Sequence, residues 1–316
     1  MSGKKKVVCI AGPTASGKTK LSVCLAKEFG GEIICADSMQ IYKNMPIASA
    51  APTQEEKQGV RHRLFEFLDP DISFNAADYC TLARKEISDV INIGKIPFLV
   101  GGTGLYISSL ADNIRFCETD TDFDLRKRLE ERCEKEGVQD LISELKKIGP
   151  ETASRLHPNN TRRIIRALEL FYSTGKTMTE LNEESRKEEN EYDYILLGLK
   201  FSDRQKLYDR IDLRVDKMLE CGLLEEARKA FLNKENSGGA AQAIGHKEFS
   251  GFFENRETLS ECTENLKRAT RRYAKRQLSW FNRDERIIWL YPDLNTEEEI
   301  FEKAKEILEE KGVKKQ

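Results

Sequence analysis

Apolar residues come in short bursts near the start of the chain and at helical spacing through its middle, and that change of rhythm divides the sequence. Lys4 to Ala11 is apolar and β-branched and ends in Gly12-Pro13, and Lys18 to Phe29 then carries apolar residues at 21, 25 and 29. The order predicts a strand, a tight loop and a helix. Gly30-Gly31 supplies a stop, Glu32 to Ala36 a second buried strand, Asp78 to Ile93 a helix and Ile96 to Val100 another strand. Such alternation predicts an α/β fold built on a parallel sheet. From about Asp112 to Glu191 the chain is charged and helix-forming, with apolar spacings of three and four, which predicts a helical insertion at 112–191 in a core of 1–111 and 192–316. Tyr194 to Phe201 returns to strand character. Gln205 to Phe231, Ser260 to Phe281 and Glu297 to Glu310 read as helices, Ile287 to Leu290 as a last strand, and Ser237 to Ala241 as a flexible loop.

Composition narrows the class. At roughly 150 residues per domain, 316 residues suit two compact units. Lys plus Arg number 52 against 54 Asp plus Glu, a balance of −2, so net charge alone predicts no polyanionic partner. The apolar run Val7 to Ala11 is too short for a signal segment or a membrane span, and the expected location is cytoplasmic. The cysteines at 9, 24, 35, 80, 117, 133, 221 and 262 never reach CxxC spacing and read as reduced residues, not zinc ligands. A monomer is the default expectation.

The strongest chemical signal is Gly12-Pro-Thr-Ala-Ser-Gly17-Lys18-Thr19, which satisfies G-x-x-x-x-G-K-[ST] between a strand and a helix. It predicts a P-loop NTPase-like core in which Gly12, Thr14, Ala15, Ser16, Gly17, Lys18 and Thr19 grip a diphosphate or triphosphate and Thr19 holds Mg²⁺. Asp37, just after the second strand, falls on the carboxyl edge where ligands of open α/β sheets collect. Three roles are open to it: a magnesium ligand, a general base, or a helix cap before Ser38-Met39-Gln40. Gly101-Gly102-Thr103-Gly104 is a second glycine-rich loop on that edge, with packing as the competing explanation. Arg210 and Arg214, one turn apart, could clamp phosphates.

Asp120-x-Asp122-x-Asp124 with Glu131 has the acidic spacing of a calcium loop, but Leu125 stands where that loop needs Gly, so an acidic helix start is the better account. Basic residues gather at Arg162, Arg163 and Arg166, and at Lys267, Arg268, Arg271, Arg272, Lys275 and Arg276. The second set repeats every four residues, which predicts a polyanion footprint unless acidic neighbours neutralise it. His62, His157 and His246 are too scattered for a triad or metal cluster.

In order along nearly the whole chain, the phosphate loop, Asp37-Ser-Met-Gln-Ile-Tyr42, Val100-Gly-Gly-Thr-Gly-Leu-Tyr106, His157-Pro-Asn-Asn-Thr-Arg-Arg-Ile-Ile-Arg-Ala-Leu-Glu169, Gln242-Ala-Ile-Gly245 and Ala269-Thr-Arg-Arg-Tyr-Ala-Lys-Arg-Gln277 closely resemble bacterial tRNA dimethylallyltransferases. The resemblance implies transfer of a dimethylallyl group from its diphosphate to N6 of the adenosine just 3′ of the anticodon, in tRNAs that read codons starting with U. It implies Asp37 as the base, Thr19 with Mg²⁺ and Arg214 as aids to the leaving diphosphate, and tRNA contacts from Asp37, Ser38, Met39, Gln40, Thr103, Arg126, Arg162, Arg163, Ile164, Ile165, Arg166, Gln242, Gly245, His246, Lys247, Arg271 and Arg272. The chain departs from the family pattern at Ala51, where Lys is usual, at His246, where Tyr is usual, and at Asn160, where Asp is usual, and it shows no C-terminal zinc finger like that of eukaryotic relatives. By its motifs alone it is also compatible with a small-molecule kinase using Mg-ATP, an isopentenyltransferase acting on free AMP, or a nucleotide-dependent RNA-binding switch; two basic helices and the insertion weigh against the first two.

Overall fold

A computed structural model describes residues 4–116, 122–233 and 239–315. Cys117, Asp120, Ser237 and Gly238 lie outside the described residues, as does the side chain of Gln242. Two compact units are present, Met1–Leu110 with Glu191–Gln316, and Ala111–Asn190.

The first unit is built on six parallel strands: β1 (Lys5–Ala11), β2 (Gly31–Cys35), β3 (His62–Arg63), β4 (Ile96–Gly101), β5 (Tyr192–Leu199) and β6 (Ile288–Leu290). Their order is β3-β2-β4-β1-β5-β6. β1 is central, and Val7 to Ala11 are fully buried, as a continuous apolar run in a parallel sheet requires. Ala11 is level with Gly101 of β4 and Gly198 of β5, so the loops leaving β1 and β4 start side by side. Gly101 has to be glycine: a Cβ there would lie 2.0 Å from the Ala36 carbonyl oxygen. Its absence lets the exits of β2 and β4 join, Ala36 N–H donating to Val100 O (2.8 Å) and Thr103 N–H to Ala36 O (3.1 Å).

Helices α1 (Lys18–Phe29), α2 (Gln54–Lys57), α3 (Ala76–Asn92) and α4 (Gly104–Ala111) fill the first half. The other unit comprises α5 (Phe123–Glu136), α6 (Val138–Ile148), α7 (Pro150–Arg155), α8 (Thr161–Thr174) and α9 (Met178–Lys187) around Leu129, Leu141, Leu145, Ile164, Ile165 and Leu168. Asp122 caps α5, its carboxylate accepting from Leu125 N–H at 2.8 Å, so the acidic run there begins a helix. The chain returns through α10 (Arg204–Glu220), α11 (Leu223–Leu232), α12 (Ser250–Phe253), α13 (Leu259–Phe281) and α14 (Glu297–Glu310). Gln205 to Phe231 is therefore not one helix. Gly222 takes φ +98, a left-handed conformation that ends the periodic run and starts α11. The described cysteines are free, and no helix among the described residues is long and apolar enough to cross a membrane.

β3 escaped prediction because two residues carry no periodicity. Its anchor is electrostatic: Glu32, 2% exposed, accepts from Arg63 Nε (2.6 Å) and Lys95 Nζ (2.9 Å). Burial alone would raise the Glu32 carboxyl, but hydrogen bonds from Lys95 and Arg63 outweigh it and hold the group below its ordinary value. That stability is complete above the unfolded carboxyl value and is lost as pH falls through the lower folded one. Glu32→Ala, which leaves Arg63 short of a partner, should cost about 3 kcal/mol. Thermal unfolding should show the lowered midpoint at neutral pH, with the difference from the parent shrinking below about pH 4.

Candidate active site

Three strand exits and one helix build the site. The loop between β1 and α1 turns at Ala15, which holds φ +62, and enters α1 through Gly17 at φ +97. Two cations fasten it: its own Lys18, whose Nζ donates to Pro13 O (2.7 Å), and Arg210 of α10, whose Nε donates to Ala15 O (3.0 Å). The Ser16 hydroxyl is buried without a hydrogen-bond partner, and the Thr19 hydroxyl, half-buried at the first turn of α1, has none among the described residues. An unsatisfied buried donor at the positive end of a helix is a place for an anion's oxygens.

Asp37 follows β2 and is half-buried. Its Oδ1 accepts from Met39 N–H at 3.0 Å, which closes a turn; no helix begins there, so the capping role has nothing to cap. Charge links it to the phosphate loop and to α10. Lys18 is pushed down to about 8, chiefly by burial, against the pull of Asp37 and with the repulsion of Arg214. Burial likewise lowers Arg214, opposed by Glu56 and Asp37, while Arg210 repels it. Lys18, Asp37 and Arg214 thus share one electrostatic crevice. Arg210 and Arg214 do not clamp one spot: the former binds the phosphate loop and the latter points toward Ala50, its Nη2 3.5 Å from that carbonyl.

In the second glycine loop the glycines admit neighbours, and Thr103 Oγ1 accepts from Ser38 N–H at 2.9 Å. Burial and then the Asp37 charge push the Tyr273 hydroxyl well above its ordinary value, with Thr103 and Gln277 beside it. Met39 packs against Ile41, Tyr42 and Met45, and the Gln40 amide donates to Ser49 O (3.2 Å) and Ala50 O (3.0 Å). Both side chains are therefore engaged within the unit.

The expected RNA-binding residues divide likewise. Ile164 and Ile165 are 1% and 5% exposed in the core of the helical unit, which is where their side chains are spent. Arg126 pairs with Glu169 through two hydrogen bonds (2.5 and 2.9 Å), and Arg166 lies 3.4 Å from the same carboxylate. Arg162 and Arg163 are exposed with no ion-pair partner among the described residues. On α13, Arg271 is held by Asp212 (2.5 and 2.6 Å) and Lys267 by Asp216 (2.7 Å), whereas Arg268, Arg272, Lys275 and Arg276 are exposed without ion pairs there. Gly245 N–H donates to Glu248 (2.8 Å), Lys247 is exposed, and His246 Nε2 lies 2.9 Å from Glu226 Oε1. Glu226, which sequence reasoning missed, also accepts from Ile47 and Ala48 N–H at 2.9 Å each. A lone Glu on a charged helix carries no sequence signal for such a node.

The IPP transferase family model matches residues 40–284. A tRNA dimethylallyltransferase of Acetivibrio thermocellus is 45% identical over 97% of this chain and 98% of that protein, and one of Bacillus subtilis is 45% identical over 96% of each. Among solved structures, the full-length tRNA isopentenylpyrophosphate transferase of Bacillus halodurans aligns with a TM-score of 0.71 at 42% identity over 96% of both chains. A eukaryotic dimethylallyltransferase acting on tRNA aligns at 0.82 and 31% identity, over 97% of this chain and 80% of that one. The six-stranded parallel sheet with its phosphate loop is the P-loop NTPase-like fold of these neighbours.

The lowered Lys18 value has a consequence for anion binding. A bound anion favours the charged amine and raises its pKa, so affinity is full below about pH 8 and falls up to tenfold per unit above it. Calorimetric titration with inorganic pyrophosphate should show this decline from pH 7 to 9.5, and Lys18→Arg should flatten it.

Proposed function

The chain belongs to the IPP transferase family, that of the tRNA dimethylallyltransferases, and from that premise we propose that it transfers a dimethylallyl group from dimethylallyl diphosphate to N6 of the adenosine immediately 3′ of the anticodon, in tRNAs reading codons that begin with U. The observation that carries the site assignment is the shared field of Lys18, Asp37 and Arg214 at one sheet edge. In this reading the diphosphate lies on the loop Gly12 to Thr19, its charge met by loop N–H groups, the Ser16 hydroxyl, Lys18 and Arg214. The adenine N6 attacks the allylic carbon, the carbon–oxygen bond breaks with its electrons going to the diphosphate, and Asp37 takes the N6 proton. Growing negative charge on the leaving group is the expensive part, and it develops where the cations are already desolvated.

Mg²⁺ fits the donor set. No group of three or more His, Cys, Asp or Glu among the described residues could hold a metal alone, so the ion would rest on the Thr19 hydroxyl, diphosphate oxygens and waters, a usual magnesium environment, and would neutralise leaving-group charge. The target base has to leave its stack to reach Asp37. Thr103, held against Ser38, contacts it. The exposed Arg268, Arg272, Lys275 and Arg276 on α13, with Arg162 and Arg163 on α8, supply backbone contacts. The enzyme works as a cytoplasmic monomer.

Incubation with dimethylallyl diphosphate, Mg²⁺ and unmodified tRNA, followed by nucleoside digestion, should place a five-carbon mass increment on that adenosine. Asp37→Asn should lower kcat by about 10²–10⁴-fold with tRNA affinity little changed; full activity of that variant would remove Asp37 from the base role. Neutralising Arg268 and Arg272 together should reduce the slope of log affinity for tRNA against log salt by about 2. Neutralising Arg271, already paired with Asp212, should change the slope less.

A further inference from the structure

One face of α13 carries Tyr273, Gln277 and Trp280, and this face lies along the second glycine loop. The Trp280 indole donates to Ser108 Oγ at 2.9 Å and fills the space that a Cβ on Gly104 would need. Gln277, 5% exposed, stands between the two glycine loops. Its Oε1 accepts from Thr14 N–H in the phosphate loop, and its Nε2 donates to Gly102 O, both at 3.0 Å. The partners fix the amide's orientation, since the reverse would set donor against donor and acceptor against acceptor. A Cβ on Gly102 would lie 2.1 Å from that Nε2, so the loop gives up a side chain to admit the contact.

We propose that Gln277 is a positioning residue for group transfer: its carboxamide sets the separation between the loop that anchors the leaving diphosphate and the loop that anchors the acceptor and its base. The proposal rests on the reaction proposed above. From Thr14 the linkage runs through Gln277 to Gly102, on to Thr103, whose hydroxyl holds Ser38, and so to Asp37. The phosphate loop has two other side-chain fastenings, one from its own Lys18 to Pro13 O and one from Arg210 to Ala15 O. Both are cations that an arriving diphosphate competes for, because charge-assisted bonds to phosphate exceed those to a neutral carbonyl. Gln277 is neutral, and although its Thr14 bond uses a loop N–H that the diphosphate also attracts, its Nε2–Gly102 O bond has no anionic competitor, so the amide stays anchored to the second loop when the first is loaded. Only a carboxamide of this length meets one N–H and one C=O at once. Glu accepts but cannot donate while ionised, and Met matches the length and makes neither bond.

Gln277→Met and Gln277→Glu separate this role from packing. Gln277→Met should fold with a melting temperature within a few degrees of the parent, bind tRNA with unchanged Kd, and transfer with kcat lowered about 10- to 100-fold, the loss that a misplacement on the order of 1 Å produces. Gln277→Glu, which keeps the Thr14 bond, should recover part of kcat but raise KM for dimethylallyl diphosphate by adding negative charge beside the loop. A role in packing alone predicts full turnover for the isosteric Met variant, and parent-level kcat there would overturn the proposal. So would losses that merely follow melting temperature in both variants. Should Gln277→Met fail to fold, parent-level kcat and KM in Gln277→Glu would overturn it equally. Parent turnover in the same assay reports on the reaction itself: a silent parent condemns the reaction, whereas an active parent with an unimpaired Met variant condemns the role given to Gln277.

Discussion

The crevice at the carboxyl edge of the sheet concentrates half-buried positive charge, and the arrangement there depends on the imbalance. Lys18 and Arg214 are both pushed toward neutrality by burial, and Asp37, with Glu56 near Arg214, opposes the push. Two partly desolvated cations sharing so little negative charge favour a multiply charged anion. Asp37 stands in the same field, coupled to both cations. Lys18, Asp37 and Arg214 are therefore coupled through one set of charges, and a substitution at any of the three should be felt by the other two.

Parallel topology makes that concentration available. β1, β2 and β4 all deliver their loops to one edge, and the level pairing of Ala11 with Gly101 sets the phosphate loop beside Gly102-Thr103 without any long connection. Irregular backbone at such an edge has to find partners for its polar groups, and it does so through side chains from later in the sequence: Arg210 on α10 and Gln277 on α13. The C-terminal helices are thus part of the site, although the motif that announces it ends at Thr19.

Legibility in the sequence followed the physics of each signal. The phosphate loop, the strands buried on both faces and the helical middle segment are written in local patterns, and the structure places them within a few residues of expectation. β3 and the Gly222 break are not, because two residues carry no period and an isolated Gly inside a helical pattern is ambiguous. Of the basic stripe, the sequence conveyed the charge but not its division. Adjacent residues lie about 100° apart around a helix, so in the first two pairs Lys267 and Arg271 face α10 and its acids, Asp216 and Asp212, while Arg268 and Arg272 face water, and in the third pair Lys275 and Arg276 are both exposed. Arg126 and Arg166 share the same fate through Glu169, a buried acid whose partners no spacing rule identifies. The contacts of Gln277 and Glu226 were invisible because each is made to backbone groups distant in sequence.

Glu226 also explains how the chain accommodates His246, which departs from the pattern of the family it resembles. A carboxylate that accepts from Ile47 and Ala48 N–H still has lone-pair capacity left, and at 13% side-chain exposure an imidazole beside it needs a polar partner. The His246 Nε2–Glu226 contact satisfies both, and it joins the Gly245–Lys247 turn to the segment 47–51, where the second departure, Ala51, lies. Gln40 and Arg214 reach the same segment through its Ser49 and Ala50 carbonyls. With Ala at 51 this stretch contributes no charge of its own, and its shape is held by three side chains anchored elsewhere, Glu226, Gln40 and Arg214. The two departures are therefore neighbours in one network: a charge absent at one position, and at the other a ring that is tied to the acid supporting them both.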